Sequence, residues 1–192
     1  MQKIKPIIFG MLAALGALIA EFVLSDAYFI FSGKELGLNY SEKITVFLFI
    51  IILIEEFAKY LMILKLYDEQ PTEKQKISTA IFLGLGFAMI ESFFIYLHQN
   101  FSHLYPGLIS AVIVHIATTG VIGYLIISAK NSSKLSAIKI IAIAFGLHTV
   151  YNLMVIYNYS YLLIYFYLAI ILLLLAIFNR KLIALKPYLP NK

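Results

Sequence analysis

The sequence predicts an all-α polytopic membrane protein, a helical bundle of about six transmembrane helices with both termini in the cytoplasm. Three observations carry that prediction. The 192 residues are 62% hydrophobic and only 13% charged, with a mean hydropathy of +0.91; a soluble domain of this length could not hide so much apolar surface. The apolar residues fall in runs long enough to cross a hydrocarbon core of ~30 Å as helices. The basic residues crowd into alternate connections, as they do when charge sets the orientation of a membrane protein.

The predicted spans are 6–31, 44–67, 77–97, 108–128, 138–157 and 160–179. The first follows Lys3 and Lys5 and is interrupted only by Glu21 and Asp26, which suggest that it ends before residue 31. It exceeds the usual h-region and no A-x-A site stands out, so it reads as a span rather than a signal peptide. The second holds Glu55, Glu56 and Lys59 in its middle. The third carries Glu91, the fourth His115, and the fifth His148 and Asn152. The sixth is apolar on every face and reads as scaffold or lipid-facing. Residues 68–76 form a polar cytoplasmic loop, and His98 and His103 fall in an outer loop as ordinary surface residues. Small residues four apart, at Ala13/Ala17, Gly16/Ala20, Ala80/Gly84/Ala88 and Ala142/Gly146, mark faces where helices can approach closely. With no internal repeat and no linker, residues 1–192 read as a single integral-membrane domain with its motif-bearing core at 44–157.

Orientation follows from the 15 lysines and arginines. Lys59 lies inside a span, and only Lys34 and Lys43 fall on one side. All the others fall at the N-terminus, in the second and fourth connections, or at the C-terminus. The positive-inside rule puts that richer side, with both termini, in the cytoplasm. The net charge of +5 is scattered along the chain, so no nucleic-acid partner is expected. With no cysteine, disulfides, thiolate metal sites and thiol nucleophiles are excluded. Trp is absent too, and 14 Tyr and 15 Phe remain to serve as interfacial anchors and lipid-facing bulk.

The intramembrane polar residues need a reason. A charge at the bilayer centre costs about 2.5–3.5 kcal/mol on insertion scales, and an anchor would have leucine there. Glu55 and Lys59 are four apart and share a helix face, so the expectation is that they pair. Glu56 lies about 100° round the helix and needs a partner from elsewhere. At ~1.5 Å of rise per residue, Glu55, Glu91, His115, His148 and Asn152 all lie roughly 8–17 Å below the outer boundary. Four helices therefore bring acid, imidazole and amide groups to one layer, where they can satisfy one another.

Such a chamber suits hydrolysis. A buried carboxylate with a like-charged neighbour can act as general base near neutral pH. His148 and Asn152, four apart on one face, can donate to a developing oxyanion. No Ser or Cys nucleophile stands beside a histidine, which argues against an acyl-enzyme. The expected chemistry needs no cofactor. The alternative is zinc: three glutamates against one lysine leave two negative charges for a divalent ion to balance. Glu91, His115 and His148 would be its ligands, although no H-E-x-x-H is present.

These motifs resemble those of the PrsW-type intramembrane proteases, within the wider superfamily of CAAX prenyl proteases and bacteriocin-processing or immunity proteins. EEFAK at 55–59 looks like the EExxK motif, FAMIE at 87–91 like FxxxE, His115 stands where the third motif has its histidine, and HTVYN at 148–152 resembles HxxxN. The resemblance implies that Glu55 and Glu56 contain the water-activating base, with Lys59 beside them. It implies that Glu91 and His115 complete the water site, and that His148 and Asn152 stabilise the oxyanion. It further implies a glutamic-type endopeptidase acting on a membrane-tethered, anti-sigma-factor-like protein from outside the membrane. The family usually has Trp before the final Asn; here it is Tyr151. No basic residue precedes His115 in SHLYPGLISAVIV. Two other classes compete: an ion- or proton-coupled transporter or channel, since buried Glu, Lys and His also form ion relays, and an inactive immunity or scaffold relative.

Overall fold

The computed structural model describes residues 3–33, 46–98, 101–132, 136–157 and 159–185. The described residues form α1 (Ile4–Ser32), α2 (Val46–Tyr67), α3 (Glu73–His98), α4 (Phe101–Ser132), α5 (Ala137–Ile156) and α6 (Tyr161–Leu185). Each predicted span has its helix, and no strand occurs among the described residues.

The differences lie at the ends and have local causes. α1 is longer than expected, because Glu21 does not end it. It runs on to Gly33, whose φ of 66° forms a left-handed cap that glycine adopts without a Cβ clash. The Gly33 N–H closes that cap on the Phe29 carbonyl at 2.8 Å. α3 starts before residue 77 because Thr72 and Gln75 form a reciprocal capping box. The Gln75 N–H donates to Thr72 Oγ1 at 3.2 Å, and the Thr72 N–H donates to Gln75 Oε1 at 3.1 Å. α4 begins at Phe101 and continues through Pro106. The outer loop expected around His98 and His103 is therefore largely helix; the side chains of both histidines lie outside the described ones.

Four helices, α1, α3, α4 and α5, are long and apolar enough to cross a membrane. α2 has similar length but carries its central charges, and α6 contributes an apolar stretch from Tyr161 to Ile177. The chain is a multi-pass membrane protein.

The motif-bearing helices make the centre of the bundle. α2 touches α1, α3, α4 and α5, whereas α6 packs on α4 and, more lightly, on α5. Two backbone approaches fix the arrangement. At the α1–α3 crossing, a Cβ on Gly10 would lie 2.0 Å from the Leu83 carbonyl oxygen, and one on Gly86 would lie 2.0 Å from that of Ile7. At the α3–α4 crossing, a Cβ on Gly84 would lie 2.6 Å from the His115 carbonyl oxygen. Gly84 thus lets α3 press against the turn that carries His115. The small-residue faces of Ala13/Ala17 and Ala80/Gly84/Ala88 are buried as expected. Gly16 and Gly146 have nothing within 4 Å of a would-be Cβ, so their faces do not pack among the described residues. α6 is also less uniform than its sequence. Ile164, Leu168, Ile171 and Leu175 form a buried stripe flanked by the partly buried Tyr161, Tyr165 and Tyr167, while Leu162, Leu163, Phe166, Ile170, Leu173 and Leu174 are exposed. A helix with no polar side has no sequence signal to say which stripe that is.

Candidate active site

Glu55 and Glu56 lie midway along α2, beside the places where α3, α4 and α5 bring Glu91, His115 and His148 against it. Glu56, Lys59 and His115 are completely buried, and His148 is almost so. Their polar atoms must therefore find partners inside the protein.

Those partners correct one expectation. Lys59 pairs with Glu56 rather than with Glu55: its Nζ lies 2.7 Å from Glu56 Oε1. Three and four residues are both neighbour spacings on a helix, and the contacts from other helices decide between them. Lys59 Nζ also lies 2.8 Å from His115 Nδ1 on α4, and 4.4 Å from the centroid of the Phe87 ring on α3. The same Glu56 oxygen is 2.7 Å from His148 Nδ1 on α5. Glu56 is thus the hub of a dry network that ties α2, α4 and α5 together.

That network assigns the imidazole protons. A charged lysine has only donors, so Lys59 donates to His115 Nδ1. The proton of His115 then sits on Nε2, which donates to a carboxylate oxygen of Glu91. His148 Nδ1 donates to Glu56, which leaves its Nε2 as an acceptor or ligand, the arrangement usual where a carboxylate orients a metal-binding histidine. The two rings meet edge to face, with centroids 5.1 Å apart at 88°. Phe87 stacks obliquely on His115 at 4.8 Å.

Glu55 is placed differently. Its Oε2 lies 3.6 Å from His148 Nδ1, beyond hydrogen-bond length. This buried oxygen has no hydrogen-bond partner among the described residues. Glu55 and Glu91 both line a cavity of about 220 Å³ between α1, α2 and α3, whose wall also includes Ala14, Ala17, Leu18, Glu21, Phe87, Ile90 and Phe94. The site therefore has a closed side built on Glu56 and an open side faced by Glu55 and Glu91.

Of the seven predicted residues, Glu55, Glu56, Lys59, Glu91, His115 and His148 form one connected group. Asn152 lies on the same helix as His148, half-buried, and its side chain has no hydrogen bond among the described residues. Two neighbours did not stand out in the sequence. Tyr151 is buried, its hydroxyl 2.9 Å from Ser110 Oγ on α4 and its ring centroid 6.3 Å from that of His148. Glu21 lines the cavity from α1; its signal was an acid inside the apolar first span, read instead, with Asp26, as a sign of the helix end.

A metal can be tested against this donor set. Glu55, His115 and His148 each offer one ligand atom, all within 4.8 Å of one another. Two imidazoles and a carboxylate are a donor set that zinc accepts; His148 Nε2 and the orphaned Glu55 oxygen are available for it, whereas His115 would first have to give up the Nε2 proton it donates to Glu91. The set differs from the one drawn from the sequence in having Glu55 instead of Glu91. Glu91 instead accepts from His115 Nε2.

A family model described as PrsW family intramembrane metalloprotease matches residues 4–178. No curated protein and no solved structure matches the chain.

Proposed function

This chain belongs to the PrsW family of intramembrane metalloproteases, and from that membership we propose that it is an endopeptidase that cuts a membrane-tethered protein by glutamate-activated water attack. The observation that carries the reading is the difference between the adjacent acids. Each acid has one buried oxygen without a hydrogen-bond partner among the described residues, but Glu56 is committed through its other oxygen to Lys59 and His148, whereas Glu55 makes no such hydrogen bond and lines the cavity. Glu55 is then the base that takes a proton from water, and Glu56 is its neighbour's support. Glu91, held by His115 Nε2–H, faces the same cavity and can pass a proton to the leaving amine. Asn152, with no competing hydrogen bond, is left able to donate to the oxyanion as the carbonyl becomes tetrahedral.

A metal-dependent reading is favoured by the family's description and by the Glu55, His115 and His148 donors. These residues would hold a divalent ion such as zinc, which polarises a carbonyl and lowers the pKa of water. Glu91, which also lines the cavity, would then be placed to hold the proton, while Glu56 would keep His148 oriented.

The uneven distribution of lysine and arginine supports termini in the cytoplasm and a site in the outer half of the bilayer. That depth suits a substrate cut near the outer end of its own span, as for a site-1 cleavage of an anti-sigma-like protein.

The test uses purified full-length protein and a library of single-span reporters with randomised outer juxtamembrane residues. Glu55→Gln, which preserves shape, should lower cleavage by about 10²–10⁴-fold while leaving the fold intact. Cleavage by that variant at the wild-type rate overturns the reading. Elemental analysis paired with chelator decides the cofactor: stoichiometric zinc and activity lost in chelator select the metal-dependent form.

A further inference from the structure

The cavity beside Glu55 has a third acid that the mechanism does not use. Glu21 comes from α1, which carries none of the motifs, and lines the same space as Glu55 and Glu91. No basic residue lines that space. The nearby cation, Lys59, is buried with its Nζ engaged by Glu56 and His115. Three carboxylates thus border one half-open volume whose lining brings no basic side chain of its own, in surroundings where uncompensated charge is expensive.

The size and the walls narrow what can enter. The volume of about 220 Å³ is below the roughly 300–1,000 Å³ of small-molecule pockets, so it suits one side chain. Ala14, Ala17, Leu18, Phe87 and Ile90 supply apolar walls, as the methylene stem of a long side chain requires. Its position also suits a chain arriving from the lipid. The lower part of α1 is locked to α3 through Gly10 and Gly86, and Ala13, Ala14 and Ala17 are buried there. Beyond Glu21 that packing ends: Phe22, Val23, Tyr28, Phe29, Ile30 and Phe31 are all exposed. The cavity lies where α1 parts from the bundle, directly beside the reacting groups.

We propose that Glu21 is a specificity-determining residue, and that the cavity it shares with Glu55 and Glu91 receives a lysine or arginine side chain of the substrate next to the scissile bond. The inference rests on the peptidase reading above. The incoming cation replaces its water shell with carboxylates already in position, and the pairing fixes the register of the peptide against Glu55.

The same reporter library tests it, with the cleavage sites read by mass spectrometry. Wild-type protein should cut preferentially where Lys or Arg lies within a few residues of the bond. Glu21→Gln should lose that preference, with the ratio of kcat/KM for basic to neutral reporters falling at least about tenfold. Glu21→Lys should move the preference towards reporters with an acidic residue there. An absence of basic residues around the wild-type sites overturns the proposal, as does a Glu21→Gln variant that slows all reporters equally. The latter would mark Glu21 as a structural or general catalytic group. Failure of wild-type protein to cut any reporter would sink the peptidase reading itself, a different result from cleavage without preference.

Discussion

The two sides of the site use the same kinds of residue for opposite purposes. On the Glu56 side, Lys59, His148 and His115 close a buried network built on Glu56 Oε1, and Oε2 of that acid is left without a partner among the described residues. On the Glu55 side, Glu55, Glu91 and Glu21 border an open volume, and a Glu55 oxygen has no partner. Adjacent glutamates on one helix thus divide into a support and a reacting group. Rotation by ~100° per residue is what separates them, because it points one acid at α4 and α5 and the other at the gap beside α1. Chemistry needs a group that faces open space and is held still, and the hydrogen-bonded side is what holds it.

Breaking the sealed side should have the largest effect. Lys59→Met keeps an unbranched side chain of similar reach but removes the only cation. Glu56 is left as a buried anion with His148 alone, and His115 Nδ1 loses its donor. Removing one partner of a buried pair costs about 3–5 kcal/mol, so thermal unfolding in detergent should occur at markedly lower temperature, and cleavage should fall to background. Unchanged unfolding would mean that the pair is not the framework described above.

Glu56→Gln sharpens the contrast between the two acids. The amide oxygen can still accept from Lys59 and His148, so the geometry is kept while the charge is lost. Activity should fall by about 10–100-fold, as for other residues that orient a functional histidine, well short of the loss for Glu55→Gln. Stability should fall by about 1–3 kcal/mol. If the two glutamine variants were equally inactive with equal stability, the assignment of separate roles would fail.

Much of this was legible in the sequence, for a physical reason. A bilayer tolerates long apolar runs and taxes every charge within them, so the helices and the residues that gather between them could be read from where the tax is paid. Six of the seven predicted residues meet in one cluster on that account. What was hidden depends on neighbours distant in sequence. Lys59 can reach Glu55 or Glu56, and only His115 and His148, from other helices, select Glu56. Glu21 looked like the end of a span because nothing nearby in sequence shows a cavity formed with α2 and α3. The stripe on α6 is invisible because leucine and isoleucine suit lipid and protein alike. The start of α3 was different: Thr72 and Gln75 are a readable capping signal, overshadowed by the hydrophobic run that follows.

The smallest effect should come from the rim of the sealed side. Tyr151 stands where the family pattern usually has Trp. Its ring lies near that of His148, while its hydroxyl meets Ser110. Tyr151→Phe separates those contributions, keeping the ring and deleting the hydroxyl. Ser110 retains its hydrogen bond to the Gly107 carbonyl at 3.0 Å, so neither partner is stranded and the cost should be about 1 kcal/mol. Cleavage should stay within about twofold of wild type, because no atom that orients His148 has been removed. A loss comparable to Glu56→Gln would instead move the Tyr151 hydroxyl into the hydrogen-bond chain that positions His148, and the boundary between support and reacting groups would have to be redrawn to include α4 at Ser110.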